Sequence, residues 1–389
     1  MTTDIQSRAR NLVLGALVAD AATMGLHWLY DQDRIREVAP EAPEFVGPNP
    51  THFDGVPAFF AHAGRTSGAQ SQYGEQALVM ARALAANAGN YDRTVYADHF
   101  RAHFGYGGKY VGYIDHATRD TLDNFRHAED EKLLRVKVIP FEGNASVTTA
   151  MVGKANAVIK QYQSDVLREK FEEAVRMTHD DDIIVAYGFQ VLDEILAIGP
   201  VYGASDQQLP AIAKLPALIA VQTVSDVDKD TFLQSAVSAV RTTSDHPRSI
   251  AYATVCAKMM QAAINGADMT QVIAEGRSVA NEEIDALLAT AMSMIDQPNT
   301  DVTKHFGMAC DLQYGVPSVV HNLATSSDYR TAIRANIYAG GDNCGRAMLV
   351  GAIAGAVYGV GGTHGIPQEW VDKLEVGNEV NALLTNLIG

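Results

Sequence analysis

Apolar and small residues recur every three or four positions along most of this chain, the spacing that lays them on one face of an α-helix. The stretch Gln76-Ala77-Leu78-Val79-Met80-Ala81-Arg82-Ala83-Leu84-Ala85 is representative. The same period predicts helices over about 5–26, 92–103, 116–127, 146–162, 165–177, 181–197, 208–222, 229–242, 246–265, 269–295, 316–324, 328–339, 345–358 and 368–386. Alternating, strand-like runs are nearly absent, so the expected fold class is all-α. Between Ala39 and Gln72 the period breaks into a segment rich in Pro, Gly, His and Phe. Aperiodic loops of that length inside compact domains are usually functional.

The pattern also echoes itself. Ala174-Val175-Arg176-Met177-Thr178-His179-Asp180, with Ala186-Tyr187 following, matches Ala239-Val240-Arg241-Thr242-Thr243-Ser244-Asp245 with Ala251-Tyr252. Each copy reads as a helix end, a capping Thr or Asp and a new helix, which suggests a duplicated helical hairpin.

The densest chemistry lies in Gly340-Gly341-Asp342-Asn343-Cys344-Gly345-Arg346, which leads into the small-residue run Ala347 to Gly359. A glycine pair turns the backbone just before a helix whose first amides lack internal partners and carry the positive end of its dipole. Asp342 or Asn343 can cap that helix, and Gly351, Gly355 and Gly359 form a stripe that lets another backbone come close. A thiol at such a position is expected to have a depressed pKa and to exist more as thiolate.

Composition narrows the classes. Over 389 residues, 47% are hydrophobic and 20% charged, without a low-complexity tract or linker, so one large domain spanning 1–389 is expected. Thirty Lys and Arg against 46 Asp and Glu give a net charge of -16, and no basic cluster argues for nucleic acid as a partner. Asp20 interrupts the apolar run near the start, which reads as a core helix rather than a leader, and the run from Ala347 to Gly362 falls short of the roughly 18 residues that cross a bilayer. Cys256, Cys310 and Cys344 are too few and too scattered for a disulfide framework or a zinc knuckle. The expected compartment is the cytoplasm, with no membrane association.

Four segments, in order, resemble the ADP-ribosylglycohydrolase family, and in particular its divergent branch of lens J-crystallins and selenoprotein J. They are Gly15-Ala16-Leu17-Val18-Ala19-Asp20-Ala21, Tyr73-Gly74-Glu75-Gln76, Met177-Thr178-His179-Asp180 and the Gly340 to Gly359 signature. Val316-Pro317 and Ile366-Pro367-Gln368-Glu369-Trp370 also fit. The resemblance implies a single all-α orthogonal helical domain whose cleft holds two magnesium ions that orient a ribosyl group for attack by water. Most of the family's magnesium ligands are replaced here: its Thr-Asp-Asp triplet reads Tyr73-Gly74-Glu75, its Asp-x-Asp-Thr reads Asp342-Asn343-Cys344-Gly345, and His27 stands where a Glu is expected. Asp342 and Glu75 are the carboxylates left for a metal, which implies at most one divalent ion rather than two magnesium ions. His27 and Cys344 are softer donors that suit zinc or iron, or no metal at all.

The catalytic candidates are accordingly Cys344, Asp342, His27 and Glu75, with the thiolate as nucleophile, the imidazole as base and a carboxylate orienting it or activating water. Asn343, Tyr106, Tyr110, Asn144 and Ser146 are candidates for binding a small-molecule substrate, the tyrosines by stacking from a loop that also carries Tyr113. Three readings stay open: a hydrolase of a ribosyl or related substrate, an enzyme centred on Cys344, or a non-catalytic protein of the crystallin type. Oligomeric state is left open as well.

Overall fold

The first period of the sequence folds as α1 (Thr2–Thr23), which tightens into a 3₁₀ turn at Met24–Leu26. The computed structural model describes residues 2–142, 145–162, 164–176, 185–189 and 201–389. Next come α2 (Gln32–Val38), α3 (Gln72–Ala86), α4 (Arg93–Phe104) and α5 (His116–Leu133). Asp31, Ser71 and Asp92 cap α2, α3 and α4, each side-chain oxygen accepting from first-turn amides that have no helical partner. After α6 (Ala145–Tyr162) and α7 (Asp165–Arg176) the chain continues with α8 (Pro210–Ala213), α9 (Leu215–Val224), α10 (Lys229–Thr243) and α11 (Pro247–Ile264). The rest is α12 (Met269–Ser278), α13 (Glu282–Ser293), α14 (Asn299–Phe306), α15 (Leu312–Thr325), α16 (Tyr329–Ala339), α17 (Asn343–Tyr358), α18 (Gln368–Val371) and α19 (Gly377–Ile388). Among the described residues the architecture is all-α apart from one antiparallel strand pair. No helix among the described residues is long and apolar enough to cross a membrane.

Several boundaries differ from the pattern reading. The expected helix 269–295 is two helices, because Asn281 accepts from the Ile284 amide and starts a new one. Within the expected helix 181–197, the described residues Val185–Phe189 form strand β2, paired with β1 (Val138–Glu142) in the register Val138↔Phe189 to Glu142↔Val185. Branched and aromatic residues such as Val185, Tyr187 and Phe189 favour an extended chain once a partner strand is present. The internal echo fails for the same reason: Ala186-Tyr187 lies in β2 whereas Ala251-Tyr252 lies in α11, and Met177 to Asp180 lie outside the described residues. In the second copy the cap of α11 is His246, not Thr243 or Asp245.

The chain divides into two compact units, Met1–Thr121 with Tyr202–Gly389, and Leu122–Val201. The smaller unit holds the strand pair and a core of Leu133, Val136, Ala155, Ile159, Leu167 and Phe171. In the larger unit, α1 and α17 form the most extensive helix pairing. A Cβ on Gly15 would lie 2.2 Å from the Gly351 carbonyl oxygen, and one on Gly355 would lie 2.4 Å from the Asn11 carbonyl oxygen. The two backbones are therefore in contact. Gly359 is not part of this stripe: it ends α17 as its C-cap, at a φ of 78°. Gly351→Ala is expected to lower unfolding free energy in urea by about 1–3 kcal/mol, as overpacking generally does, because its Cβ would meet Ala19 and Gly15. A loss below about 0.5 kcal/mol would mean that the helices separate freely.

Candidate functional site

Three distant stretches are laced together by backbone hydrogen bonds. The Trp28 amide donates to the Gly341 carbonyl, the Gly341 amide to Leu29, the Phe59 amide to Trp28 and the Tyr30 amide to Pro57, at 2.9–3.0 Å. Gly340 and Gly341 both take positive φ, and a Cβ on Gly341 would lie 2.2 Å from the Met308 carbonyl oxygen, so the turn accepts only glycine there. Trp28 also adopts a positive φ of 61°, a costly conformation for a bulky residue, held by the amide bonds on either side. This lacing brings the end of the first helical segment, the long 39–72 loop and the start of α17 to one point.

Asp342 sits at that point as the N-cap of α17 and is fully buried. Its Oδ1 accepts from the Gly345 amide at 3.0 Å and lies 3.0 Å from His27 Nε2, while its Oδ2 accepts from the Tyr73 hydroxyl at 2.6 Å. His27 Nδ1 lies 2.7 Å from His62 Nε2. Burial pushes the Asp342 carboxyl upward, but the His27 hydrogen bond, with the Tyr73 and Gly345 bonds, outweighs it and holds the carboxyl below its ordinary range.

An ionised carboxylate orients the groups beyond it. Asp342 only accepts, so His27 Nε2 carries a proton, and in the neutral ring Nδ1 is then an acceptor. In that tautomer His62 donates from Nε2, which leaves His62 Nδ1 as a bare lone pair. That nitrogen is buried and has no hydrogen-bond partner. Burial first, with Arg65 nearby, pushes His62 well below the ordinary histidine range, so it carries no second proton and is uncharged at neutral pH.

Cys344 departs from expectation. The helix N-terminus does not yield a thiolate, because full burial and the nearby Asp20 and Asp342 carboxyls push the thiol well above its ordinary range. Its Sγ lies 3.9 Å from the Asp20 carbonyl oxygen. Asp20 itself is fully buried, bonded through Oδ2 to the Ser71 amide at 2.7 Å and through Oδ1 to the Ser71 hydroxyl at 2.5 Å, and burial pushes it up to about 7. One ligand atom each from His27, His62 and Cys344 falls within 4.8 Å of the others.

Glu75 does not join this group through hydrogen bonds. It pairs with His103 Nε2 at 2.9 Å and Arg65 at 3.5 Å. Tyr110 belongs to the same pairing, since Arg65 stacks over its ring at 4.5 Å, whereas Tyr106 is 93% exposed. From that loop Tyr113 joins the rings beside His27: it meets Trp28 at 4.9 Å and Phe59 at 5.7 Å, and Trp28 lies 4.3 Å from His27. Asn343 is fully buried and its amide ties α17 to the Leu26 carbonyl at 3.2 Å, so it positions His27 and does not reach open space. Asn144 lies outside the described residues, as does the side chain of Ser146.

His62, Asp20, Tyr73 and Trp28 are absent from the sequence-derived candidates. The signals were nevertheless there: His62 lies in the aperiodic 39–72 segment, Asp20 is the acid that interrupts an apolar run, and Tyr73 opens a replaced triplet.

The comparisons with known proteins agree across the length of the chain. The sequence profile of ADP-ribosylglycohydrolase matches residues 1–192 and 210–389. Crystallin J1A of Tripedalia cystophora is 24% identical over 378 residues, covering 96% of this chain and 94% of its own, and Crystallin J1B of the same organism is 23% identical over 390 residues, covering 99% and 97%. A solved ADP-ribosylglycohydrolase-related protein complex shares the fold with a TM-score of 0.56 at 16% identity, covering 99% of this chain and 98% of its own. With the profile matched over nearly every residue, the chain belongs to the ADP-ribosylglycohydrolase family.

Proposed function

We propose that this chain is a hydrolase-like enzyme acting on a ribosyl or related small-molecule substrate, with water activated by an Asp342–His27–His62 relay instead of paired magnesium ions. Family membership supports the hydrolase-like part. Against magnesium stands the donor set: both Asp342 oxygens are taken, Glu75 is paired with His103 and Arg65, and the groups around Asp342 are imidazoles, a phenol and a thiol. Two hard, octahedral ions do not fit such donors.

The single observation that carries the reading is the buried nitrogen His62 Nδ1, which has no hydrogen-bond partner and is a free base in the tautomer above. As water displaces the substituent at an anomeric carbon, that nitrogen takes the water's proton while the carbon–substituent bond breaks and its electron pair leaves with the substituent. The positive charge that appears on His62 is steadied through the His62 to His27 hydrogen bond and the ionised Asp342 behind it. Trp28, Phe59 and Tyr113 supply aromatic faces beside the pair, suited to a flat leaving group. The net charge of -16 favours a small-molecule partner over a nucleic acid.

His62→Gln, assayed on a panel of N- and O-linked ribosyl compounds in the presence of chelator, is expected to lose about 10²–10⁴ in turnover, the usual worth of a positioned acid or base. Unchanged turnover in the variant would remove the relay from the chemistry. The second reading, a non-catalytic protein, is favoured by the two relatives named crystallins. It predicts no turnover of any panel member by the unaltered chain.

A further inference from the structure

We propose that His27, His62 and Cys344 form a buried binding site for a soft divalent ion of the zinc type, and that the ion, by taking the relay's own nitrogens, opposes hydrolysis. The binding half stands on geometry alone; the inhibitory half rests on the hydrolytic reading above.

Two imidazoles and a thiol are the donor set that selects zinc or a related transition metal over magnesium or calcium. All three side chains are buried, and one ligand atom from each lies within 4.8 Å of the other two. His27 Nδ1 and His62 Nε2 face each other at 2.7 Å across a shared proton, and an ion would replace that proton. With metal to nitrogen distances of about 2.0–2.1 Å in a tetrahedral array, the two nitrogens need to part by about 0.6–0.7 Å. The outer bond is in place as well: His27 Nε2 faces Asp342 Oδ1 at 3.0 Å, the carboxylate-to-imidazole contact that fixes tautomer and ring direction in metal sites. A fourth position is left for water, since three protein ligands do not complete the tetrahedron.

The protons balance as follows. Cys344 loses its thiol proton to solvent when sulfur binds the ion. The proton held between the histidines moves from His62 Nε2 to His62 Nδ1. One proton is released per ion, and the lone pair that serves as base is consumed.

The test uses the full chain stripped with chelator. Zinc titrated by calorimetry in two buffers of different ionisation enthalpy should bind one ion per chain and release about one proton. Cobalt(II) in its place should give a thiolate-to-cobalt absorption band that Cys344→Ser abolishes and Cys310→Ser retains, with far-ultraviolet circular dichroism confirming that both variants fold. X-ray absorption on the unaltered zinc-loaded protein needs no variant and should show two imidazole nitrogens and one sulfur. No stoichiometric binding at micromolar zinc, a shell without sulfur, or a band lost with Cys310→Ser instead would overturn the site. Turnover that is unaltered in fully occupied protein would overturn the inhibitory half, whereas a chain that binds zinc but hydrolyses nothing even when metal-free would leave the site standing and defeat the hydrolytic reading.

Discussion

Asp342→Asn is expected to lower turnover by about 10²–10⁴ while leaving the fold recognisable, because either orientation of the amide breaks the relay. If its oxygen stays toward His27 and the Gly345 amide, the tautomers survive but the negative charge that steadies a protonated His62 is gone. If the NH₂ group turns toward His27 instead, two donors face each other until His27 switches tautomer. His62 Nδ1 then becomes a donor and the base disappears. Stability should fall by about 1–3 kcal/mol, the cost of leaving a buried partner unsatisfied, read from urea unfolding. Tyr73→Phe removes only the 2.6 Å bond to Oδ2, so it should lose stability of the same order and less than tenfold in turnover. Turnover of Asp342→Asn within tenfold of the unaltered chain would show that the carboxylate is only a helix cap. The pH profile carries the same logic. Since burial lowers His62 below the ordinary histidine range, turnover should hold through pH 6.5 and fall only at more acid values.

Raising the pH from about 4 to 7.5 is expected to remove stability through Asp20. Burial holds its carboxyl protonated in the folded chain up to about 7, whereas the unfolded group releases its proton near 3.8. A group raised in this way contributes stability that is complete below the unfolded value and lost as pH climbs through the folded one, and the interval corresponds to about 4 kcal/mol. Asp20→Asn stays neutral throughout, and its amide can still accept from the Ser71 amide while donating to the Ser71 hydroxyl. The unfolding free energy of Asp20→Asn relative to the unaltered chain should therefore rise by several kcal/mol between pH 4 and 7.5. A pH-independent difference would mean that water reaches Asp20 and screens its charge.

Both expectations involve residues whose partners come from far along the chain. Local chemistry settled a good deal beforehand: the helical period of α3 and α17, a cap at Asp342 or Asn343 and the small residues through which α1 and α17 touch are matters of spacing and side-chain size. Spacing misjudged Val185–Phe189, since a short apolar run is helix or strand according to whether another strand lies beside it. His27 and Asp342, 315 positions apart, entered as joint candidates only through the family resemblance.

By itself, then, the sequence determined the helical class, the glycine turn ahead of α17 and the cap at its start, because those depend on neighbours within a few residues. The tertiary structure alone decided that His62 completes the pair, that Glu75 pairs with His103 and Arg65, and that Cys344 keeps its proton. Hydrogen-bond partners across hundreds of residues, and the desolvation that moves a thiol or carboxyl away from its ordinary pKa, are created by the packing that closes around them and have no counterpart in local spacing.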